Sequence, residues 1–165
     1  MKARLVLLFM AMIAISFISC DVDEPIDESQ KRGVQVERPF KMRSSGTFQI
    51  VTPVVCDEGL VQVLIEGQGK GTLIGNFSVT ITYCTDFGDI HILNGYQIAA
   101  NGDQLFFYNI GGGEDENGFY NDYYYYSGTG RFENVSGTLR LYGVFEFTGP
   151  TSGVFSNQGE GTLTY

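Results

Sequence analysis

Few side chains in this sequence could carry out acid–base or covalent chemistry, and their spacing restricts what that chemistry would be. His91 is the one histidine, which excludes a multi-histidine metal site and leaves a His-based triad a single place to stand. It falls in the short strand-like run Asp89 to Leu93 and reads as a strand residue. Glu66 and Glu146 share strands with apolar residues but fall on the polar side of the alternation, so neither is nominated as the buried, shifted carboxyl that a general acid needs. Glu114, Asp115, Glu116, Asn117 and Asp122 gather hard oxygen donors in one stretch. Calcium would suit them, but the spacing of a dedicated calcium loop is absent, and the stretch reads as a solvated acidic loop. Arg131 follows the turn Gly128-Thr129-Gly130 and stands two residues before Glu133. It could clamp a carboxylate at a barrel mouth, although bracing its own turn against an acid is the preferred reading. No catalytic residue, metal or cofactor is nominated, and the enzyme question leans towards no.

The tyrosines are more distinctive. Tyr120 is followed by the run Tyr123-Tyr124-Tyr125-Tyr126. In a strand, Tyr123 and Tyr125 point one way and Tyr124 and Tyr126 the other. The inner pair could offer ring faces and hydroxyls to a ligand and the outer pair could stack on sugar rings, while plain packing and strand propensity explain the same residues.

The longest pattern runs from Asp122 to Phe147 as two strands joined by a turn over 128–137. Leu139, Leu141, Gly143, Phe145 and Phe147 alternate with Arg140, Tyr142, Val144 and Glu146, the period of a sheet with one buried side. Thr47 to Thr52 is a further strand, stopped by Pro53, and Lys31 to Arg43 is a lead-in that Pro39 confines to an edge strand or extended arm. Leu60 to Glu66 and Gly75 to Cys84 pair around the turn Gly67-Gln68-Gly69-Lys70-Gly71, with Ile65 facing Gly75, Val63 facing Phe77 and Val61 facing Val79. Tyr96 to Ala100 and Gln104 to Ile110 join at Asn101-Gly102-Asp103, a strong hairpin signal. Gly111 to Asp122 reads as a glycine and acid loop, and Gly153 to Tyr165 as the last strand. With 22 Gly, 13 Phe, 10 Tyr and no Trp, and no helical period after the first twenty residues, the expectation is a single all-β domain. Eight or nine antiparallel strands are most economically closed into a barrel, because closure removes the edges.

Met1-Lys2-Ala3-Arg4 and the apolar run Leu5 to Phe17 form an export signal too short to span a bilayer comfortably. It ends in Phe17-Ile18-Ser19-Cys20, which resembles the lipobox of bacterial lipoproteins. That resemblance makes Cys20 the lipid-anchor residue, diacylated and then the new N-terminus; the alternative is an ordinary secretory signal with Cys20 a structural thiol. The acidic stretch after it, Asp21 to Gln30, reads as a solvated tether and resembles signals that send some lipoproteins to the outer face of the outer membrane. The expected domains are a signal peptide over 1–19, a lipidated cysteine and tether over 20–36, and a β-barrel over 37–165. The expected place is the bacterial outer membrane, with the cell surface favoured over the periplasmic face. Once Cys20 is acylated, Cys56 and Cys84 are the cysteines left, and in an exported protein they are expected to form a structural disulfide.

The whole chain carries 10 basic and 19 acidic residues for a net charge of −9. Loss of the leader, with Lys2 and Arg4, takes it to 8 − 19 = −11. Nucleic acid is therefore not an expected partner.

Three segments, Gly67 to Gly75, Ala99 to Leu105 and Gly128 to Glu133, together resemble a group of bacterial secreted proteins and lipoproteins with a calycin-like barrel, remotely similar to the allene oxide cyclase and dirigent barrels. The resemblance implies an eight-stranded antiparallel barrel with an apolar interior able to accept a small hydrophobic molecule. Candidate ligand-lining residues on that view are Phe77, Val79, Tyr83, Tyr123, Tyr125, Leu141 and Phe145. The expected function is a membrane-anchored binding module for a small apolar or aromatic molecule, or one that presents a glycan- or protein-binding surface. A cyclase- or isomerase-like enzyme and a structural protein without ligand are the alternatives.

Overall fold

The computed structural model describes residues 35 to 165 apart from residue 54. The expected signal peptide, Cys20 and nearly all of the tether lie outside the described residues. Eight strands follow in order: β1 (Glu37–Val51), β2 (Val61–Gly71), β3 (Gly75–Thr85), β4 (Ile90–Ala99), β5 (Gln104–Asp115), β6 (Gly118–Gly128), β7 (Ser136–Phe147) and β8 (Ser152–Thr164). Each pairs antiparallel with the next, and β8 returns to β1, so the sheet closes into a barrel. The alternation that marks these strands in sequence sorts the side chains. Along β1, Phe40, Met42 and Phe48 are buried while Lys41, Arg43 and Ser45 face water. Along β7, Leu139 and Leu141 are buried and Arg140 is exposed.

The hairpin of β2 and β3 differs from the sequence reading. Its turn is Thr72-Leu73-Ile74, closed by Gly71 opposite Gly75, and the register sets Ile65 against Ile81, Val63 against Tyr83 and Gly69 against Phe77. The glycines of 67–71, read as a turn, belong to β2. The reason is inside the barrel, where an aromatic ring takes the place of a side chain at each inward glycine. A Cβ on Gly69 would lie 2.4 Å from Phe77 Cζ, and one on Gly67 would lie 2.8 Å from Phe155 Cζ. Because the register moves by an even number of residues, the faces survive and only the partners change.

Three other boundaries move. The runs Asp89 to Leu93 and Tyr96 to Ala100 join in the single strand β4. From Glu37 on, the lead-in is not an arm but the first half of β1, paired with β8 from Glu37 to Gln49. The glycine and acid stretch is not a loop either, since β5 and β6 continue through it as a hairpin closed by Asp115 opposite Gly118. Pairing between β6 and β7 stops at Tyr120 opposite Tyr142, so this hairpin leaves the wall as an arm. A register shift between Asn109 and Gly111 marks its bend, where Asn109 Nδ2 donates to the Gly111 carbonyl at 2.9 Å and to Asn121 Oδ1 at 3.2 Å.

The lumen is packed. Phe107 lies 5.2 Å from Tyr125 and 5.4 Å from Tyr123, and Phe40 meets Tyr125 edge-on at 5.7 Å. Gln97 is buried among these rings, accepting from the Tyr125 hydroxyl at 3.4 Å and donating to Met42 Sδ at 3.3 Å. One end is plugged by the β6–β7 connection, whose 3-10 turn Gly130–Phe132 buries Phe132 beside Tyr165. Arg131 ties three turns together there, donating to the Ile74 carbonyl at 3.0 Å and lying 3.5 Å from Asp103. It braces turns, and the acid it meets is Asp103 rather than Glu133.

Candidate functional site

The other end of the barrel is open. Beyond the last inward rings, β1, β2, β3, β4 and β7 border a cavity of about 210 Å³, walled by Phe48, Tyr83, Phe87, Phe145 and Phe147 with Ile90 at the rim. Alternation along β7 aims Phe145 and Phe147 inward, but the wall ends before it can cover them. They stay 47% and 57% exposed and pack edge-on against Phe48 at 5.7 and 5.0 Å. Leaving rings of this size about half exposed forgoes on the order of 1 kcal/mol per side chain, half of the gain from full burial.

The β3–β4 loop is built to hold one more ring there. Phe87 has φ of +70°, the one positive value outside glycine among the described residues, and its side chain is 65% exposed. A bulky residue in the left-handed region costs on the order of 1–3 kcal/mol and needs its surroundings to impose it. Thr85 and Asp86 impose it. The Thr85 hydroxyl accepts from the Phe87 amide at 2.9 Å and donates to the Asp89 carbonyl at 2.7 Å. Asp86 Oδ1 accepts from the Gly88 and Asp89 amides, both at 2.9 Å. Those amides hold the Asp86 carboxyl below the usual aspartate range.

Beside this loop, Cys56 and Cys84 form a disulfide with Cα atoms 5.6 Å apart. The bond fastens the β1–β2 connection to the end of β3, directly before Thr85. The register expected from the sequence, Ile65 opposite Gly75, extends to Cys56 opposite Cys84, but Gln62 is the residue opposite Cys84 in the ladder; the chain before β2 bends back to bring Cys56 alongside.

The candidate ligand-lining residues therefore divide. Tyr83 and Phe145 line the open mouth. Phe77, Val79, Tyr123, Tyr125 and Leu141 are buried in the packed core, where they touch one another instead of bordering the mouth cavity. Burial raises the Tyr83 hydroxyl above the ordinary tyrosine pKa, and it pushes Tyr123 and Tyr125 up further. All three are protonated donors at neutral pH. Sequence reasoning passed over Phe48, Phe87 and Phe147. Phe87 carried a local signal, an aromatic residue inside the turn Asp86-Phe87-Gly88-Asp89, where the flanking residues dictate a turn and nothing local buries a ring.

The remaining chemistry-bearing groups lie elsewhere. His91 is exposed at the start of β4, with Nε2 3.7 Å from Asp86 Oδ2. Asp122 accepts two hydrogen bonds of 2.8 Å from Arg140, and Asp115 accepts from the Tyr142 hydroxyl at 2.9 Å. No group of three potential metal ligands is found among the described residues. Tyr124 and Tyr126 face outward and lie 5.6 and 5.7 Å from Tyr108 on β5.

No protein-family model matches the sequence, and no curated protein matches it. Among solved structures, the chain is similar to a pterocarpan synthase dirigent protein, with a TM-score of 0.49 and 11% sequence identity over 79% of this chain and 86% of that one.

Proposed function

We propose that this protein is a lipid-anchored envelope binding module whose open barrel mouth takes one flat apolar or aromatic group of a small molecule. The observation that carries the proposal is the ring of exposed aromatics over the mouth, completed by Phe87 in a backbone conformation that Thr85 and Asp86 must force. A cavity of about 210 Å³ is smaller than the roughly 300–1,000 Å³ of sites that enclose drug-sized molecules. It suits a single ring or a short branched chain, with the rest of the molecule outside. Tyr83 supplies one hydroxyl donor to orient that group, while the Thr85 hydroxyl is committed to its loop. The wall is otherwise aliphatic and aromatic. It supports binding better than a cyclase- or isomerase-like reaction, which would call for a carboxylate or imidazole at the reacting atom. The anchor through Cys20, the outer-membrane location and display at the cell surface belong to the same proposal and rest on Phe17-Ile18-Ser19-Cys20 and the acidic stretch behind it.

The test is titration of the purified protein with N-phenyl-1-naphthylamine, an uncharged aromatic fluorophore. Saturable binding is expected, with a loss of tenfold or more in Phe87→Ser and in Phe145→Ser and no change in Tyr126→Ser on the outer wall. Equal binding by all four proteins would refute the mouth as the site. Palmitate labelling of wild type and Cys20→Ala, followed by protease treatment of intact cells, tests anchor and location separately.

A further inference from the structure

We propose that the groove between the β5–β6 arm and the outer wall of the barrel is a second binding site, one for an acidic oligosaccharide. The arm lies against β7 through Asp115, and its tip residues Asn117 to Phe119, with β7, β8, β1 and β2, border two adjoining hollows of about 1080 and 850 Å³ that share Arg43, Lys70, Asn117, Tyr142 and Gln158. Neither hollow includes a residue of the aromatic mouth, so the site is separate from the one proposed above.

Charge is the first argument. The chain carries −9 overall, yet the larger hollow is bordered by Lys41, Arg43, Lys70 and Arg140 against Glu160 as its one acid. Two of these cations are already occupied: Lys41 pairs with Glu160, and Arg140 is held by Asp122 at 2.8 Å while it stacks 3.8 Å from the Tyr120 ring. Arg43 and Lys70 are not, since no acidic partner faces either of them among the described residues. They stand directly opposite each other on β1 and β2, where like charges repel and destabilise a sheet. An acidic chain with 19 carboxylates could quench such a pair with a single cross-strand Glu. It sets Ser45 and Gln68 beside them instead. An anionic group bridging Arg43 and Lys70 turns that repulsion into a two-pronged clamp.

The rest of the lining decides what carries the anion. Lys70, Arg43, Gln158 and Tyr142 are successive cross-strand partners on β2, β1, β8 and β7. At the usual strand separation the row spans about 14 Å, the length of about three linked pyranose rings. Gln68, Gln158 and Asn117 offer amides that both donate and accept, as sugar hydroxyls require, and Phe119 on the arm presents an exposed ring. Amides and a ring face around paired cations fit a saccharide bearing carboxylates or sulfates. The arm itself is set by Asp115, which the Tyr142 hydroxyl and Arg140 both meet, so the groove is a formed feature of the wall.

The experiment titrates the purified full-length protein with trigalacturonate, a sulfated trisaccharide, a neutral trisaccharide and a hexaglutamate peptide, by calorimetry at low and physiological salt. Binding of one or both acidic sugars is expected at least tenfold tighter than the neutral one and weaker at the higher salt, and the stronger of the two identifies the anionic group. R43Q/K70Q should lose tenfold or more, R43K should keep its affinity, and the melting temperature of R43Q/K70Q should equal or exceed that of wild type because the facing charges are gone. Equal affinity for neutral and acidic sugars, an unchanged affinity in R43Q/K70Q, or a lowered melting temperature in that variant would overturn the proposal. So would hexaglutamate binding as tightly as the sugars, which would make the groove a site for an acidic protein segment.

Discussion

Breaking the Cys56–Cys84 bond is the perturbation whose size follows most directly from the structure. The two residues are 28 apart in sequence. In the chain-entropy account, a closed loop of that length restricts the unfolded chain by about 12 cal/mol/K, or about 3.6 kcal/mol at 25 °C. Cys56→Ser is the cleaner variant, because Cys84 is almost wholly buried and its replacement would add a cavity or an unpaired hydroxyl to the lost cross-link. For a barrel of this size about 3.6 kcal/mol corresponds to a fall in melting temperature of roughly 10–15 °C. The chain has no tryptophan, so urea unfolding would be followed by circular dichroism and tyrosine emission, with reduced wild type as the second measurement. The variant and the reduced protein should agree, and the denaturant slope should rise as the unfolded chain expands. Hydrogen exchange should quicken first over Thr85 to Ile90, the mouth loop adjoining the bond. A loss below about 1 kcal/mol in both would show that the unfolded chain keeps 52–60 near β3 without the bond, and the entropic reasoning would fail.

The glycine seats and the buried hydroxyls make two further predictions. Gly69→Ala places a Cβ 2.4 Å from Phe77 Cζ and 2.5 Å from the Arg43 carbonyl and should cost about 1–3 kcal/mol by urea titration. Gly111→Ala meets nothing within 4 Å and should be neutral or stabilising by up to about 1 kcal/mol; equal effects at the two sites would contradict the packed lumen. Tyr123 and Tyr125 have pKa values raised by burial, so their contribution is complete below the unfolded tyrosine value near 10 and is lost as pH rises above it. The unfolded chain then releases protons that the folded one keeps, and stability should fall by about 1.4 kcal/mol per pH unit for each ring above pH 10. A flat urea midpoint between pH 9 and 11.5 would show that the rings are reached by water.

Much of the fold was legible because a sheet with one buried face writes a two-residue period into the chain. The faces of β7 and of the tyrosine run followed from that period, and so did the antiparallel closure of the barrel. The β2–β3 register did not. Glycine marks turns locally, and only the presence of Phe77 and Phe155 across the lumen turns Gly69 and Gly67 into seats for rings. The arm was hidden for a similar reason, since Gly111-Gly112-Gly113 and four acids look solvated until Arg140 and Tyr142 are brought beside Asp115 and Asp122.

The candidate sites divide along the same line. Alternation tells which residues point inward but not how deep the lumen is filled, and so Tyr83 and Phe145 could not be told from Phe77 and Leu141 before the ends of the barrel were known. Arg43 and Lys70, 27 positions apart, carry no shared motif and become neighbours through strand pairing alone. The sequence by itself settled which side chains share the inner face of the sheet, because that choice is made residue by residue by transfer free energy and backbone period. Tertiary structure decided where the barrel is solid, where it opens and which charges meet across strands. Those are properties of closure and register, which no short stretch of chain contains.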